Sequence, residues 1–136
     1  TIFFYNVQIK VLKSKIHRAS VTCANLNYIG SLSLDEDLMS VANLLEFEKI
    51  HVLNITNGNR FVTYVVKSGL GSGEVCVNGA AAHLAKEGDV VIIASYCSLS
   101  VEEEKKFFPT IVHVDKKNNI ISSDIIVDSL ELSKTR

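Results

Sequence analysis

The local sequence around Asn78-Gly79 is the clearest candidate for an anion-binding site in this chain. The dipeptide ends a β-like run and is followed by the small helix formers Ala80-Ala81-Ala82. Several unpaired backbone N–H groups are therefore expected at the start of a helix, with no bulky side chain over them. Such an arrangement suits a carboxylate or an oxyanion. A tight strand-to-helix turn without a ligand explains the same residues equally well.

Two glycine motifs have structural interpretations. Gly69, Gly71 and Gly73 form a glycine-rich loop, but a dinucleotide fingerprint opens a helix, and here a β-like run follows. We therefore expect a flexible hairpin tip rather than a nucleotide site. Asn57-Gly58 lies between two β-like runs and is typical of a hairpin turn.

The remaining polar residues give weak signals when taken singly. Gly30-Ser31 is a common turn dipeptide. No metal site is expected, because no two of the four histidines have the spacing of a metal pair, these being His17, His51, His83 and His113.

The composition limits the class of protein. The chain has 136 residues, 47% hydrophobic and 21% charged, which is enough for one core, so we expect a single domain over residues 1–136. A net charge of -1 leaves no basic excess for a phosphate backbone, and nucleic acid is not an expected partner. Apolar runs such as 90–94 are far shorter than the ~20 residues of a membrane-spanning helix. The apolar residues 1–5 lack the flanks of a secretory signal.

The cysteines bear on the cellular compartment. Cys23, Cys76 and Cys97 are an odd number and form no C-x-x-C pair. This pattern favours reduced thiols over a disulfide framework. A cytoplasmic location is therefore expected.

The chain predicts a small β-rich fold with short helices. Ser33 and Glu36 have capping-box spacing ahead of an apolar stripe that ends at Leu45, which predicts a first helix. A second helix is predicted at 80–86, and a third opens with Ser100 and Glu103. Six strands in so small a chain favour a barrel or a sandwich. The predicted strands are 13–22, 49–55, 61–66, 74–77, 90–95 and 111–114.

Five separated segments carry a more specific signal when they are read together. They are Lys15-Ile16-His17-Arg18, then 21–22 with 24–31, then 57–64, 77–83 and 88–93. They resemble the family of pyruvoyl-dependent aspartate 1-decarboxylases. The order and spacing of the segments match that family without a gap from about Lys13 to about Val114. The resemblance implies a double-psi β-barrel with a few short helices, and a homotetramer.

The resemblance also implies that the chain cuts itself between Gly30 and Ser31, into a β chain of residues 1–30 and an α chain of residues 31–136. Ser31 Oγ would attack the Gly30 carbonyl, the peptide would rearrange to an ester, and β-elimination and hydrolysis would leave a pyruvoyl group at position 31. A glycine before the serine leaves the carbonyl open to attack and permits a strained backbone. The pyruvoyl group is then the only cofactor needed.

The implied activity is decarboxylation of L-aspartate at its α-carboxylate to β-alanine and CO2, which feeds pantothenate and coenzyme A biosynthesis. The pyruvoyl ketone of position 31 would form a Schiff base with the substrate amine, and its adjoining carbonyl would accept the released electrons. The family pattern implies that Tyr64 is the proton donor, a role that suits a phenol protonated near neutrality. Arg60 offers a planar fork to a substrate carboxylate, and Lys15 a second positive charge. The other implied substrate-binding residues are Thr63, Asn78, Gly79, Ala80 and Ala81.

The sequence leaves two questions open. Ile29 stands where some members of the family carry an acidic residue, which bears on the rate of cleavage. Whether an accessory maturation protein takes part is a separate question. The alternative function is a non-catalytic β-barrel interaction module that stays uncleaved.

Overall fold

The computed structural model describes residues 7–125, so residues 1–5, where no secretory signal is expected, lie outside it. The described part is mainly β with a few short helices, which confirms the predicted fold class. No helix in this part is long and apolar enough to cross a membrane. The elements are β1 (Gln8–Ser20), β2 (Cys23–Asn25), β3 (Ser31–Asp35), α1 (Glu36–Val41), β4 (Lys49–Asn54), β5 (Arg60–Ser68), β6 (Val75–Asn78), a 3-10 helix (Gly79–His83), β7 (Val90–Ser100), α2 (Val101–Glu104), β8 (Thr110–Val114) and β9 (Ile120–Ile125).

All the described strands belong to one sheet with mixed pairing. Its order is β2-β6-β3-β5-β4-β7-β1-β8-β9. β3 runs parallel to β5 and antiparallel to β6, while β1 runs parallel to β8 and antiparallel to β7. Within residues 7–125 no ladder joins β2 to β9, so the ladders alone leave the sheet open. The double-psi arrangement of the barrel remains an implication of the resemblance.

One face of the sheet forms the hydrophobic core. In β3, Leu32 and Leu34 are fully buried, as are Val65 on β5 and Val77 on β6. Burying one such side chain stabilises the fold by roughly 1.5–3 kcal/mol. Because side chains alternate along a strand, burial of Leu32 and Leu34 sends the side chains on either side of them to the opposite face.

The glycine-rich loop with Gly69, Gly71 and Gly73 connects β5 to β6. These two strands lie on either side of β3 and do not pair with each other, so the predicted hairpin tip is wrong and the loop passes over β3. Asp35 holds the loop, because its carboxylate accepts hydrogen bonds from the N–H groups of Gly71 and Gly73 at 2.9 and 2.8 Å. By contrast, Asn57-Gly58 does connect the antiparallel pair β4 and β5, as predicted.

The six predicted strands all occur, whereas β2, β3 and β9 were not predicted. β3 was missed because Ser33 was assigned to a helix cap. In the structure Ser33 lies within β3, and the N-cap of α1 is Asp35, whose side chain accepts from the Asp37 N–H at 2.8 Å. α1 ends at Val41, so the predicted stripe is broken and Leu45 is 76% exposed.

The other two predicted helices are both short. The second is a five-residue 3-10 helix over Gly79–His83 instead of a helix over 80–86. The third helix is α2, and its predicted start at Ser100 and Glu103 is confirmed. Ser100 Oγ accepts from the Glu103 N–H, and the Glu103 carboxylate accepts from the Ser100 N–H.

The expectation of reduced thiols is wrong for two of the three cysteines. Cys23 and Cys76 form a disulfide, and only Cys97 is free. The two residues are direct partners in the parallel β2–β6 ladder, with Cα atoms 4.6 Å apart, a separation that a disulfide requires. The sequence does not indicate this pairing, because the two cysteines are 53 residues apart. They meet only when β2 and β6 lie side by side at the edge of the sheet.

Candidate active site

Ser31 is the centre of the candidate site. It opens β3, is only 3% exposed, and pairs with Asn78 in the antiparallel β3–β6 ladder. The Asn78 side-chain amide donates to Ser31 Oγ at 3.1 Å and to Ser33 Oγ at 2.9 Å. Ser31 Oγ also lies 3.4 Å from the Ile29 carbonyl oxygen. The buried hydroxyl is therefore held between its own preceding turn and a neighbouring strand.

Sequence reasoning missed Ser33. The signal was available in the alternation Ser31-Leu32-Ser33-Leu34, which is typical of a strand with one apolar and one polar face. Ser33 gives the Asn78 amide a second acceptor, so both amide hydrogens have a partner and the side chain is fixed in one orientation.

Gly79 packs directly against the peptide that precedes Ser31. Its φ is +74°, and a Cβ added there would lie 2.6 Å from Gly30 Cα and 2.8 Å from Gly30 N. Only glycine fits this position. Gly30 itself lies outside the left-handed region, and a Cβ on it would meet only the Asn78 carbonyl oxygen at 3.9 Å. The strained backbone expected at Gly30 is thus found at Gly79 instead.

The Asn78-Gly79 turn into Ala80 and Ala81 takes the form of the short 3-10 helix. Asn78 occupies its N-cap position but its side chain makes no capping hydrogen bond, and its amide N–H groups donate instead to the two serines of β3. Ala80 is exposed and Ala81 half-buried. The residues that follow Gly79 therefore carry only small side chains.

Tyr64 lies beside Ser31 on the other neighbouring strand. In the parallel β3–β5 ladder Leu32 pairs with Val65, which puts Tyr64 level with Ser31. Alternation places the side chains of Ser31 and Tyr64 on the same face, opposite the buried pair. The Tyr64 ring is half-buried and contacts Phe47, with ring centroids 6.4 Å apart.

Thr63, by the same alternation, lies on the other face of β5 from Tyr64. It pairs with Ile50 of β4 and shares the face of Val65. The two neighbouring residues implied by the family pattern therefore point to opposite sides of the sheet.

Arg60 and Lys15 lie away from Ser31 within one chain. Arg60 is exposed and precedes Tyr64 by four residues, a distance of ~13 Å along a strand. Lys15 is on β1, which β5, β4 and β7 separate from β3 in the sheet. Neither side chain has a hydrogen bond or ion pair with the described residues. Arg60 lines a separate cleft of about 260 Å³ with Leu53, Asn54, Ile55, Gly58, Asn59 and Ile92.

His17, two residues after Lys15, has an unusual environment. Its Nδ1 is buried without a hydrogen-bond partner among the described residues, and its ring meets the His113 ring edge-on at 5.6 Å. Burial lowers the pKa of His17 below its ordinary value of 6.5, with the charge of Lys15 and the neighbouring His113 and Arg18 acting in the same direction. Across residues 7–125 no group of three or more His, Cys, Asp or Glu side chains is placed to hold a metal ion.

Taken together, the fold and the site define a class of protein: a mainly β chain with a buried serine, fixed by an asparagine amide, at the start of a strand and next to a tightly packed Gly-Gly contact. A model of the aspartate decarboxylase family matches residues 7–121. The chain therefore belongs to the aspartate decarboxylase family.

Relatives of known name agree over most of the chain. A protein named Aspartate 1-decarboxylase from Caldicellulosiruptor saccharolyticus is 59% identical over 113 residues, covering 83% of this chain and 88% of that protein. Proteins of the same name from Clostridium botulinum (strain Langeland) and Campylobacter fetus are each 57% identical, over 112 and 114 residues, covering 82% and 84% of this chain and 88% and 98% of their own lengths. The predictions of the family and of an enzyme are confirmed.

A solved structure of a computationally designed protein, msDPBB_sym2, is also similar. It is 16% identical, with a TM-score of 0.39, and the match covers 62% of this chain and 96% of that one.

Proposed function

We propose that this chain decarboxylates L-aspartate at its α-carboxylate, giving β-alanine and CO2, with a pyruvoyl group made from its own Ser31. The observation that carries the proposal is the buried Ser31 hydroxyl, which Asn78 holds beside the Gly30-Ser31 peptide bond. The family and its relatives support the substrate and the reaction.

The first reaction is self-cleavage, and the chain's own residues suit it. Ser31 Oγ attacks the Gly30 carbonyl carbon, and the acyl group moves from nitrogen to oxygen. The Asn78 amide orients Oγ, while Gly79 fixes the backbone of residue 30 by its close contact. β-Elimination releases residues 1–30 with a free carboxylate, and addition of water with loss of ammonia completes the new end of residues 31–136.

The residues around Ser31 fit a small ketone at this position. Asn78 Nδ2, which donates to Ser31 Oγ, can donate to a ketone oxygen in its place. Gly79 and Ala80, which follow Asn78, carry no bulky side chain. Once formed, the pyruvoyl group supplies an electrophilic carbonyl for the substrate amine and a second carbonyl that accepts electrons as CO2 leaves.

Tyr64 is the proposed proton donor. Tyr64 lies level with Ser31 in the β3–β5 ladder and on the same face, which supports this role. From there its Oη can deliver a proton to the substrate carbon that has lost CO2.

The charged partners of the substrate carboxylates are proposed to come from a neighbouring subunit. Arg60 and Lys15 belong to the proposed site by the family pattern, yet within one chain they lie away from Ser31. Assembly into the predicted homotetramer would bring them to a neighbour's Ser31. Phe47 and Val62, close to Tyr64 on the chain's surface, are 70% and 53% exposed and offer apolar area for such an interface.

The setting of the reaction belongs to the same proposal. β-Alanine would feed pantothenate biosynthesis, and an accessory maturation protein would act, if at all, on the Gly30-Ser31 step. The expected cytoplasmic location loses one of its arguments, because Cys23 and Cys76 are paired. Cell fractionation of the source organism tests it.

The deciding experiment is the mass of the denatured and fully reduced protein, followed by an assay of β-alanine formation. We expect two chains, 1–30 and 31–136, the second lighter by one ammonia than the same chain with an amino-terminal serine, because a pyruvoyl group has replaced that serine. Ser31→Ala should fold, stay in one piece and form no β-alanine. A wild-type chain that remains whole after long incubation would instead support the interaction-module alternative.

A further inference from the structure

The Cys23–Cys76 disulfide spans the proposed cleavage point. Cys23 lies eight positions before Ser31, and Cys76 lies on β6, well after it. The cut between Gly30 and Ser31 therefore places one cysteine in each product, 1–30 and 31–136. A bond that lies within one chain before cleavage becomes a bond between two chains after it.

We propose that the Cys23–Cys76 disulfide is an interchain bond of the matured protein, which holds the new end of the shorter chain near position 31 and acts on Asn78 when it is reduced. The proposal rests on the self-cleavage proposed above. It assigns to the two cysteines a redox-sensitive link that the decarboxylation chemistry itself does not need.

Apart from the packing of Gly79 against Gly30, few contacts hold the new chain end, and the disulfide adds a covalent link. β2 is three residues long and, among the described strands, pairs only with β6 at the edge of the sheet. After it come residues 26–30, in which Leu26, Tyr28 and Ile29 are 53%, 58% and 79% exposed. A cut after Gly30 turns this segment into a free terminus, and chain ends that are not tied down fray. The disulfide anchors this segment at Cys23, seven residues before the new terminus at Gly30.

The rest of the shorter chain is held independently. β1, with 13 residues, lies between β7 and β8 and pairs with both. Reduction is therefore expected to release the end after β2 without dissociating residues 1–30 as a whole. The effect of reduction should be confined to β2, the segment after it and the neighbouring Asn78.

Cys76 also touches the residue that orients Ser31. Its Sγ lies 3.5 Å from Asn78 Oδ1, and the Asn78 amide nitrogen donates to Ser31 Oγ. A disulfide sulfur carries no hydrogen, so this contact is not a hydrogen bond in the oxidised form. A reduced Cys76 thiol can donate to Asn78 Oδ1. Reduction thus changes the hydrogen bonding of Asn78 at the same time as it removes the covalent link between β2 and β6, which then pair only through their short ladder.

The redox step balances with a dithiol as co-reactant. One thiolate of the dithiol attacks a sulfur of the Cys23–Cys76 bond, which breaks, and the second thiolate resolves the mixed disulfide. Cys23 and Cys76 each gain one electron and one proton, and the dithiol becomes a cyclic disulfide. Re-formation of the bond requires a small-molecule disulfide as oxidant.

The first test is a pair of mass measurements on matured wild-type protein, denatured with an alkylating agent either directly or after dithiothreitol. We expect one linked species without reductant and two chains with it. Reduction is essential, because the linked species differs from the uncleaved oxidised chain only by one added water and one lost ammonia. Two separate, alkylated chains without reductant would overturn the interchain bond and leave the cleavage proposal standing. One chain after reduction would instead overturn self-cleavage, and the interchain bond with it.

Variants separate the link from its effect on the site. Cys23→Ser should still be cleaved but give two chains without reductant, whereas Cys97→Ser, which removes the free cysteine, should behave as wild type.

The effect of reduction on Asn78 is tested by the rate of cleavage, which is timed from cell-free synthesis with and without dithiothreitol. We expect the reductant to slow the wild-type chain by roughly 3- to 10-fold, well below the ~100-fold that a displaced reacting group can cost. An equal response of wild type and Cys23→Ser, or none in either, would refute the effect on the site.

Discussion

The backbones of Gly79 and Gly30 are so close that no residue with a side chain fits at position 79. A Cβ at Gly79 would lie 2.6 Å from Gly30 Cα, and the φ of +74° is one that L-residues with a side chain rarely adopt. The contact ties the start of the 3-10 helix to the peptide bond that precedes Ser31. Position 79 is therefore under two separate restrictions, one of backbone conformation and one of space.

Gly79→Ala should slow the cleavage at Gly30-Ser31 by at least ~10-fold, because the methyl group must push residue 30 away from its place and even a ~1 Å displacement can cost 100-fold. The measurement is the time course of chain splitting in reducing gels. Gly88→Ala is the matched control, since Gly88 has a φ of +91° but no atom within 4 Å of an added Cβ. If both variants split at the wild-type rate, the close contact has no role in cleavage.

Tyr64→Phe should separate maturation from turnover. The phenylalanine ring keeps its contact with Phe47, so splitting should survive, while β-alanine formation falls by about 10²–10⁴-fold, the usual worth of a general acid. Tyr96→Phe is the control, because Tyr96 lies on β7 against His51. Full turnover by a cleaved Tyr64→Phe protein would exclude Tyr64 as the donor.

Arg60→Ala should leave chain splitting intact and lower kcat/KM for aspartate by about 30-fold or more, which corresponds to at least ~2 kcal/mol for loss of one partner of a desolvated charge pair. Glutamate should be a poor substrate for the wild type, because its extra methylene moves one carboxylate from its partner. Comparable decarboxylation of glutamate and aspartate, or normal kinetics in Arg60→Ala, would argue against this carboxylate clamp.

Mixed assemblies test whether Arg60 acts across subunits. Ser31→Ala and Arg60→Ala chains, each inactive or nearly so, should regain activity when they are co-expressed, because some neighbouring pairs then combine an intact Ser31 with an intact Arg60. Size-exclusion chromatography with light scattering should show a tetramer. A monomer of 15.0 kDa, or no recovery in mixed tetramers, would place the charged partner elsewhere.

His17 should make the protein less stable in mild acid. Its pKa is lowered in the folded state, so the unfolded chain binds the proton more readily and the free energy of unfolding falls as the pH drops below about 6.5. His17→Gln should reduce this loss, measured as the difference in Tm between pH 7.5 and pH 5.5. The exposed His83, changed to Gln, provides the comparison. An unchanged difference in His17→Gln would show that other groups cause the acid sensitivity.

Local pattern was enough to predict much of this protein. The β-rich runs, the capping box of Ser100 and Glu103, and the hairpin turn at Asn57-Gly58 all depend on neighbours within a few residues, and the structure contains each of them. The five collinear segments were enough for the family, because residue types at fixed spacing survive without any knowledge of contacts. The Ser31-to-Leu34 alternation also marked one polar face of β3, although it was not used.

Contacts between distant segments were decided only by the tertiary structure. Cys23 and Cys76 pair because β2 and β6 lie side by side, Tyr64 lies beside Ser31 because β5 runs parallel to β3, and Gly79 meets Gly30 because the end of β6 passes the start of β3. Each of these relations joins residues 33 to 53 positions apart, and none leaves a local pattern in the chain. The physical reason is that strand order and register are set by burial of one apolar face of the whole sheet, a global condition that no single segment records.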